Sequence, residues 1–201
     1  MKKIVKDAFV LFAITLISGI LLGAVYKITK DPIEEQNEKT KLAAYNAVFT
    51  DMEKYEEVNS LDDAQKAVND EGYTAVTVNE AVKAFDAGGN ELGMILTVTD
   101  GDGYGGNIKF TLGIDSDGTI TGLEILDISE TAGLGMKAKN ADFRDQFKGI
   151  KADKIEYTKS GKQADNEIDA ISSATITTKA ITAGVNGALA AYRALGGASN
   201  E

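Results

Sequence analysis

Leu92-Gly-Met-Ile-Leu-Thr-Val-Thr99, Ile108-Lys-Phe-Thr-Leu-Gly-Ile114 and Thr119-Ile-Thr-Gly-Leu-Glu-Ile-Leu-Asp-Ile128 are three runs rich in β-branched and apolar residues. Gly101-Asp-Gly-Tyr-Gly-Gly106 separates the first two, and Asp115-Ser-Asp-Gly118 separates the last two. Such runs read as strands, and short glycine- and aspartate-rich joints between them read as hairpin turns. The stretch is therefore expected to form an antiparallel meander. Upstream, Tyr73–Val78 alternates as a strand does, and Ala81–Asp86 continues extended to a turn at Gly88-Gly89-Asn90. Helical spacing appears at Ile33–Phe49 (Leu42, Tyr45, Val48, Phe49), Leu61–Val68 and Phe143–Phe147, and in an alanine-rich run, Ser172–Leu195. The body is expected to be α+β, a twisted antiparallel sheet packed with helices.

Ahead of the body lies Ala8–Ile28, AFVLFAITLISGILLGAVYKI, with Lys27 its only charge. A run of about 20 such residues spans a bilayer core as a helix. A cleaved signal peptide has an apolar region of roughly 7–15 residues, shorter than this one, and no A-x-A site follows. A retained transmembrane anchor is therefore expected, with a break at Asp31-Pro32 after it. Lys2, Lys3 and Lys6 precede the run and predict a cytoplasmic N-terminus, with the body across the membrane. Gly19 and Gly23 form a G-x-x-x-G pair that permits close helix packing, although glycine is common in membrane helices anyway. The expected organisation is an anchor over 1–30, a helix and strand region over 31–89 and a core domain over 90–201.

The sequence contains neither cysteine nor histidine. This excludes thiolate nucleophiles, cysteine-ligated metals and the commonest general base near neutral pH. Redox chemistry would have to come from a cofactor needing neither residue, such as a flavin. Residues 1–30 hold five lysines against Asp7 alone, a net +4; the whole chain is −10, which leaves −14 on residues 31–201. A body so acidic repels phosphate backbones and argues against nucleic-acid binding; solubility alone also accounts for it.

Two motif matches fail on context. Gly101-x-Gly103-x-x-Gly106 fits the dinucleotide fingerprint, but a strand follows where a helix must begin. Asp115-x-Asp117-Gly118 hints at a calcium loop, yet position twelve is Leu126 and strands flank the site. No metal ligand set and no catalytic side chain is expected.

The segment with chemical content is Asp169-Ala-Ile-Ser-Ser-Ala-Thr-Ile-Thr-Thr178. Asp169, Ser172 and Ser173 are N-cap types, so a helix is expected to start near Ser172. A helix N-terminus favours a phosphate through its free N–H groups and dipole. Ser172, Ser173, Thr175, Thr177 and Thr178 would surround that point with hydroxyls, and Ala174 would keep the approach open. Capping without a ligand is the common use of such residues.

This segment resembles the flavinylation motif of the FMN-binding domain family, roughly Asp-x-x-Ser/Thr-Gly/Ser-Ala-Thr-x-Ser/Thr. Ser173 stands where the family usually has glycine. Ser129-Glu-Thr-Ala-Gly-Leu-Gly-Met136 resembles the family's Glu-Thr-Pro-Gly-Leu-Gly loop, with Ala132 in the proline position and Ser129 where histidine is frequent. Phe143-x-x-Gln-Phe-Lys-Gly149 and Gly103-Tyr-Gly-Gly-x-Ile108 fit as well, in the family's order, so the resemblance covers roughly residues 90–195. It implies FMN joined by its phosphate to Thr175, with Ser172, Ser173, Ala174, Glu130, Thr131, Leu134, Gly135 and Tyr104 around the cofactor. It also implies a flavin transferase that uses FAD and Mg²⁺.

The family includes components of two membrane complexes: the G subunit of the Rnf ferredoxin:NAD⁺ oxidoreductase and the C subunit of the sodium-pumping NADH:quinone reductase. Length and the single anchor are closer to the Rnf component. The implied role is an electron relay beside iron–sulfur and integral membrane subunits. The alternatives are the quinone-reductase counterpart and an anchored flavin-binding sensory module.

Overall fold

The computed structural model describes residues 2–197. Contacts divide the chain into two compact units, with the boundary between Lys41 and Leu42. The first unit is the greater part of helix α1 (Lys2–Val48). Its apolar side chains are exposed, from Ile4 and Phe9 through Leu22 and Ile28, and the helix is long and apolar enough to cross a membrane. The break expected at Asp31-Pro32 is absent, because α1 runs through Pro32. Proline lacks the N–H that would bond the carbonyl four residues back, a cost of about 3 kcal/mol in a helix interior. Lys30 with Glu34 and Lys39 with Glu35, each spaced by four, support the same polar stretch.

The second unit is built on a five-stranded antiparallel sheet in sequential order. Its strands are β1 (Lys54–Glu57), β2 (Val76–Phe85), β3 (Glu91–Gly103), β4 (Gly106–Asp115) and β5 (Ile120–Ile128). The three strands β3 to β5 are those expected from Leu92–Ile128, each a few residues longer or shorter at its ends. Tyr73–Val78 and Ala81–Asp86 prove to be one strand, β2, with a register shift between Val78 and Glu80 that re-phases the alternation. β1 was not expected: KYEE carries three charges in four residues, and it is held as an edge strand only by pairing with β2. β6 (Glu156–Thr158) and β7 (Glu167–Asp169) form a separate parallel pair too short to show a pattern.

Helices α2 (Asp62–Asp70) and α4 (Thr175–Ala194) pack on one face of the sheet. Leu96, Val98, Phe110 and Leu112 from the strands meet Ala180, Ile181, Val185 and Ala188 from α4, all fully or nearly buried. Burying a large apolar side chain of this kind contributes roughly 1.5–3 kcal/mol. The opposite face carries a smaller cluster in which Tyr45, Val48 and Phe49 cover Val82, Ala84 and Ile95. Two polar side chains tie α4 in place. Asn186 brackets Ile155, accepting its N–H at 2.7 Å and donating to its carbonyl at 2.9 Å. Tyr192 donates to the Asp115 carbonyl at 2.8 Å.

The segment between β5 and β6 holds a 3₁₀ turn (Gly135–Lys139), the short helix α3 (Ala141–Arg144) and a second 3₁₀ turn (Asp145–Phe147). Phe143 and Phe147 meet edge to face inside the core, and Arg144 pairs with Glu124 of β5. This segment brings Glu130–Gly135 beside the start of α4.

Candidate functional site

Helix α4 begins at Thr175, three residues later than expected. Ser173 explains the delay. Its φ is +62°, the left-handed region, which lies outside the right-handed helix. Ala174 therefore occupies the N-cap position, and no side chain caps the helix. The first N–H groups of a helix have no intrahelical partner, so Thr175, Ile176 and Thr177 present theirs at this end. The position where the family usually has glycine is thus one where a Cβ is strained.

The expected hydroxyls divide into two groups. Thr178 is fully buried and serves the chain itself: its Oγ accepts the Ile171 N–H at 3.0 Å and donates to the Ala174 carbonyl at 3.0 Å. It pins the loop across the helix start and does not face a ligand. Thr177 is also buried, beneath Gly135. Thr175 is half-buried with Ser173 exposed beside it.

A cleft of about 570 Å³ opens at this end of α4, lined by Tyr104, Glu130, Thr131, Leu134, Gly135 and residues 173–177. All the expected cofactor-binding residues but one line it. Ser172 instead lines a shallower hollow with Asn140, Phe143, Gln146 and Asp169. Ile176, 52% exposed, lines the cleft and was not anticipated; an apolar residue inside a Ser/Thr-rich motif carries no signal before the helix phase is known. Tyr104 is 71% exposed and Leu134 39%. These three are apolar surfaces of the folded body left open to solvent around a single concavity.

Glu130 organises the cleft. It is 8% exposed and accepts the Gly105 N–H through Oε1 at 3.2 Å, which fixes the turn that carries Tyr104. A Cβ placed on Gly135 would lie 2.7 Å from Glu130 Oε2 and 2.5 Å from Thr177 Oγ, and one on Gly103 would lie 3.0 Å from Glu130 Oε1. Loop, hairpin turn and helix therefore converge at van der Waals contact through two positions that only glycine fits. Gly135 is buried at this junction, so its main role is to let the three elements meet. The Gly101–Gly106 segment is the β3–β4 hairpin end. In the Asp115 turn, Oδ1 accepts the N–H groups of Asp117 and Thr119 at 2.9 Å each, as hairpin turns commonly require.

The arrangement has parts that fit an FMN. Uncapped N–H groups suit a phosphate, the adjoining Thr175 hydroxyl suits an ester, and a half-open cleft with Tyr104, Leu134 and Ile176 suits a flat aromatic ring. Fold and site define a flavin-binding domain, and residues 103–190 match the FMN-binding domain model. Residues 1–48 match the RnfG N-terminal region.

The chain is 32% identical over 196 residues to the G subunit of the Na⁺-translocating ferredoxin:NAD⁺ oxidoreductase complex of Acetobacterium woodii, covering 96% of this chain and 94% of that one. It is 31% identical over 191 residues to the G subunit of the proton-translocating ferredoxin:NAD⁺ oxidoreductase complex of Clostridium ljungdahlii, covering 92% of each. The chain belongs to the family of G subunits of Rnf-type ion-translocating oxidoreductase complexes. Its fold is shared with the C subunit of the Na⁺-translocating NADH-quinone reductase of Parabacteroides distasonis, with a TM-score of 0.60 at 20% identity over 84% of this chain and 97% of that one.

Proposed function

We propose that this chain is the electron-relay component of a membrane-bound ferredoxin:NAD⁺ oxidoreductase that translocates ions, with FMN held as a phosphoester on Thr175. The observation that carries the reading is the placement of one half-buried threonine hydroxyl at the uncapped start of α4, on the wall of the cleft. Near-full-length similarity to the Rnf-type G subunits favours this reading over the quinone-reductase counterpart, whose likeness is one of fold.

Bound FMN supplies reversible electron transfer, and this chain's residues supply placement. The first N–H groups of α4 hold the phosphate, with Ser173 beside it and Ala174 leaving room. Tyr104, Leu134 and Ile176 form apolar walls for the ring. Glu130 and Thr131 anchor the loop that bears Leu134 and the turn that bears Tyr104. No side chain acts as acid or base, in keeping with a chain lacking histidine and cysteine.

Attachment forms a bond between Thr175 Oγ and the FMN phosphorus and breaks the diphosphate of FAD. The products are the esterified chain and AMP, and the hydroxyl proton is released. A flavin transferase with Mg²⁺ carries out this step. Residues 1–30 anchor the chain, residues 31–89 are the helix and strand part that opens the body, and the FMN-binding core begins at residue 90. Lys2, Lys3 and Lys6 keep the N-terminus cytoplasmic, so the body lies on the extracytoplasmic side among iron–sulfur and integral membrane subunits. The intact mass of the membrane-purified chain tests the reading: it should exceed the sequence mass by FMN less one water. A mass equal to the sequence alone, in a sample whose complex is active, would refute it.

A further inference from the structure

Helix α4 carries only two charged side chains, Lys179 and Arg193. Arg193 lies in the last turn, where the helix dipole favours a cation, and its guanidinium pairs with Glu71 at 2.7 Å. Lys179 is placed the other way. It sits four residues after the first helical residue, close to the positive end of the dipole, where a cation is disfavoured. Its side chain is exposed, so burial of its stem does not account for it. Asp100 feels the Lys179 charge, which favours its ionised form. It lies fully buried beneath α4, with Oδ1 on the Asp102 N–H at 2.7 Å.

Thr175 and Lys179 are neighbours on one helix face. Four residues advance the helix by about 400°, which leaves Lys179 roughly 40° around from Thr175 and one turn further on. Helical side chains lean toward the N-terminus and cover the preceding turn, which brings the Lys179 ammonium within reach of Thr175. No other cation lies between Asp169 and Arg193 in the sequence. An anionic phosphodiester there would sit on a body of net charge −14.

We propose that Lys179 is the counter-cation of the phosphate on Thr175, a positioning residue that draws the flavin donor to the helix start and holds the ester once formed. The inference rests on the Thr175 reading and goes one residue beyond it. A cation against the dipole is then explained, since a bound anion between the N–H groups and the ammonium makes both contacts favourable.

The test co-expresses the full-length chain with a flavin transferase and follows flavin on Thr175 by intact mass and gel fluorescence over time. Lys179→Arg should be modified like wild type. Lys179→Gln should be modified several-fold more slowly and Lys179→Glu about tenfold more slowly. The melting temperature of the unmodified Lys179→Gln chain should match or exceed that of wild type, which separates a lost charge from a lost fold. Equal modification rates in wild type, Lys179→Gln and Lys179→Glu would overturn the proposal, as would Lys179→Arg failing alongside them. If the wild-type chain carries its flavin on a residue other than Thr175, the underlying reading itself fails.

Discussion

The Thr178 hydroxyl and the Ile171 N–H, seven residues apart, are joined by a buried hydrogen bond of 3.0 Å that closes the loop over the start of α4. The same hydroxyl donates to the Ala174 carbonyl, so both ends of the Ile171–Ala174 turn hang on one side chain. This places Thr178 in the scaffold of the site and leaves the neighbouring Thr175 hydroxyl on the cleft.

Thr178→Val should therefore cost stability without removing the attachment point. It leaves the buried Ile171 N–H without an acceptor, for a loss of about 1–3 kcal/mol. Thr178→Ser should recover most of that. Thermal melts of the three chains check the order, and a Thr178→Val chain as stable as wild type would contradict it. Thr175 in the surviving folded fraction should still accept flavin.

Ser173 gives the opposite sign. A non-glycine residue in the left-handed region costs about 1–2 kcal/mol. Ser173→Gly should relieve part of this, offset by the greater freedom of glycine in the unfolded chain, for a gain of about 0.5–1 kcal/mol. Ser173→Val should lose more than Ser173→Gly gains. A lower melting temperature for Ser173→Gly would show that the Ser173 side chain makes a contribution that outweighs its strain.

Gly135→Val should disrupt the junction itself. Its Cβ would fall 2.5–2.8 Å from Thr177 and Glu130, both of which are buried. Overpacking of this kind costs typically about 1–3 kcal/mol. The visible spectrum and midpoint potential of any flavin carried by the variant should shift, because the loop bearing Leu134 can no longer lie against α4. A spectrum, potential and melting temperature equal to wild type would contradict the geometry.

How much of this was legible beforehand depended on the range of the interaction. The β3–β4–β5 meander was readable because β-branched runs and their turns are local patterns. The flavinylation motif was readable as a resemblance, down to Ser173 in a glycine position. The helix start was misplaced because Ser172 and Ser173 are favourable caps by type, whereas a single left-handed φ decides the outcome. β1 escaped notice because tertiary pairing alone makes a strand of KYEE, and Ile176 did because its exposure depends on where the helix phase begins. Glu130 and Gly135 could be named, but their meeting with Thr177 depends on packing between distant segments.

Asp100 supplies a pH dependence. Burial, the leading cause, raises its pKa from 3.8 to about 6, against an opposing Asp102 N–H bond. An acid with a raised folded pKa destabilises the fold when ionised, so its cost is full above pH 6. The cost falls away as pH drops from 6 through 3.8, and below that the acid is neutral in both states. Asp100→Asn should thus raise stability at pH 7.5, by up to about 3 kcal/mol, and give little gain near pH 4. Melts of wild type and Asp100→Asn across that range check it, and a gain equal at both ends would contradict the assignment.

The proposed orientation of the body rests on the lysine bias of Lys2, Lys3 and Lys6. Asn90→Cys, in the exposed turn before β3, should react in intact cells with a thiol reagent that cannot cross the membrane. The chain has no native cysteine to confuse the result. Labelling only after lysis would reverse the topology.

The central claim is that one hydroxyl, Thr175 Oγ, carries the flavin. The most direct measurement is in-gel flavin fluorescence after denaturation, with intact mass, on wild type and Thr175→Ala purified from membranes of cells that contain the transferase. Wild type should fluoresce and carry the added mass of FMN less one water. Thr175→Ala should be folded, membrane-inserted, dark and at its sequence mass, while Thr177→Ala stays fluorescent. A Thr175→Ala chain that keeps gel-stable flavin and the added mass would contradict the account.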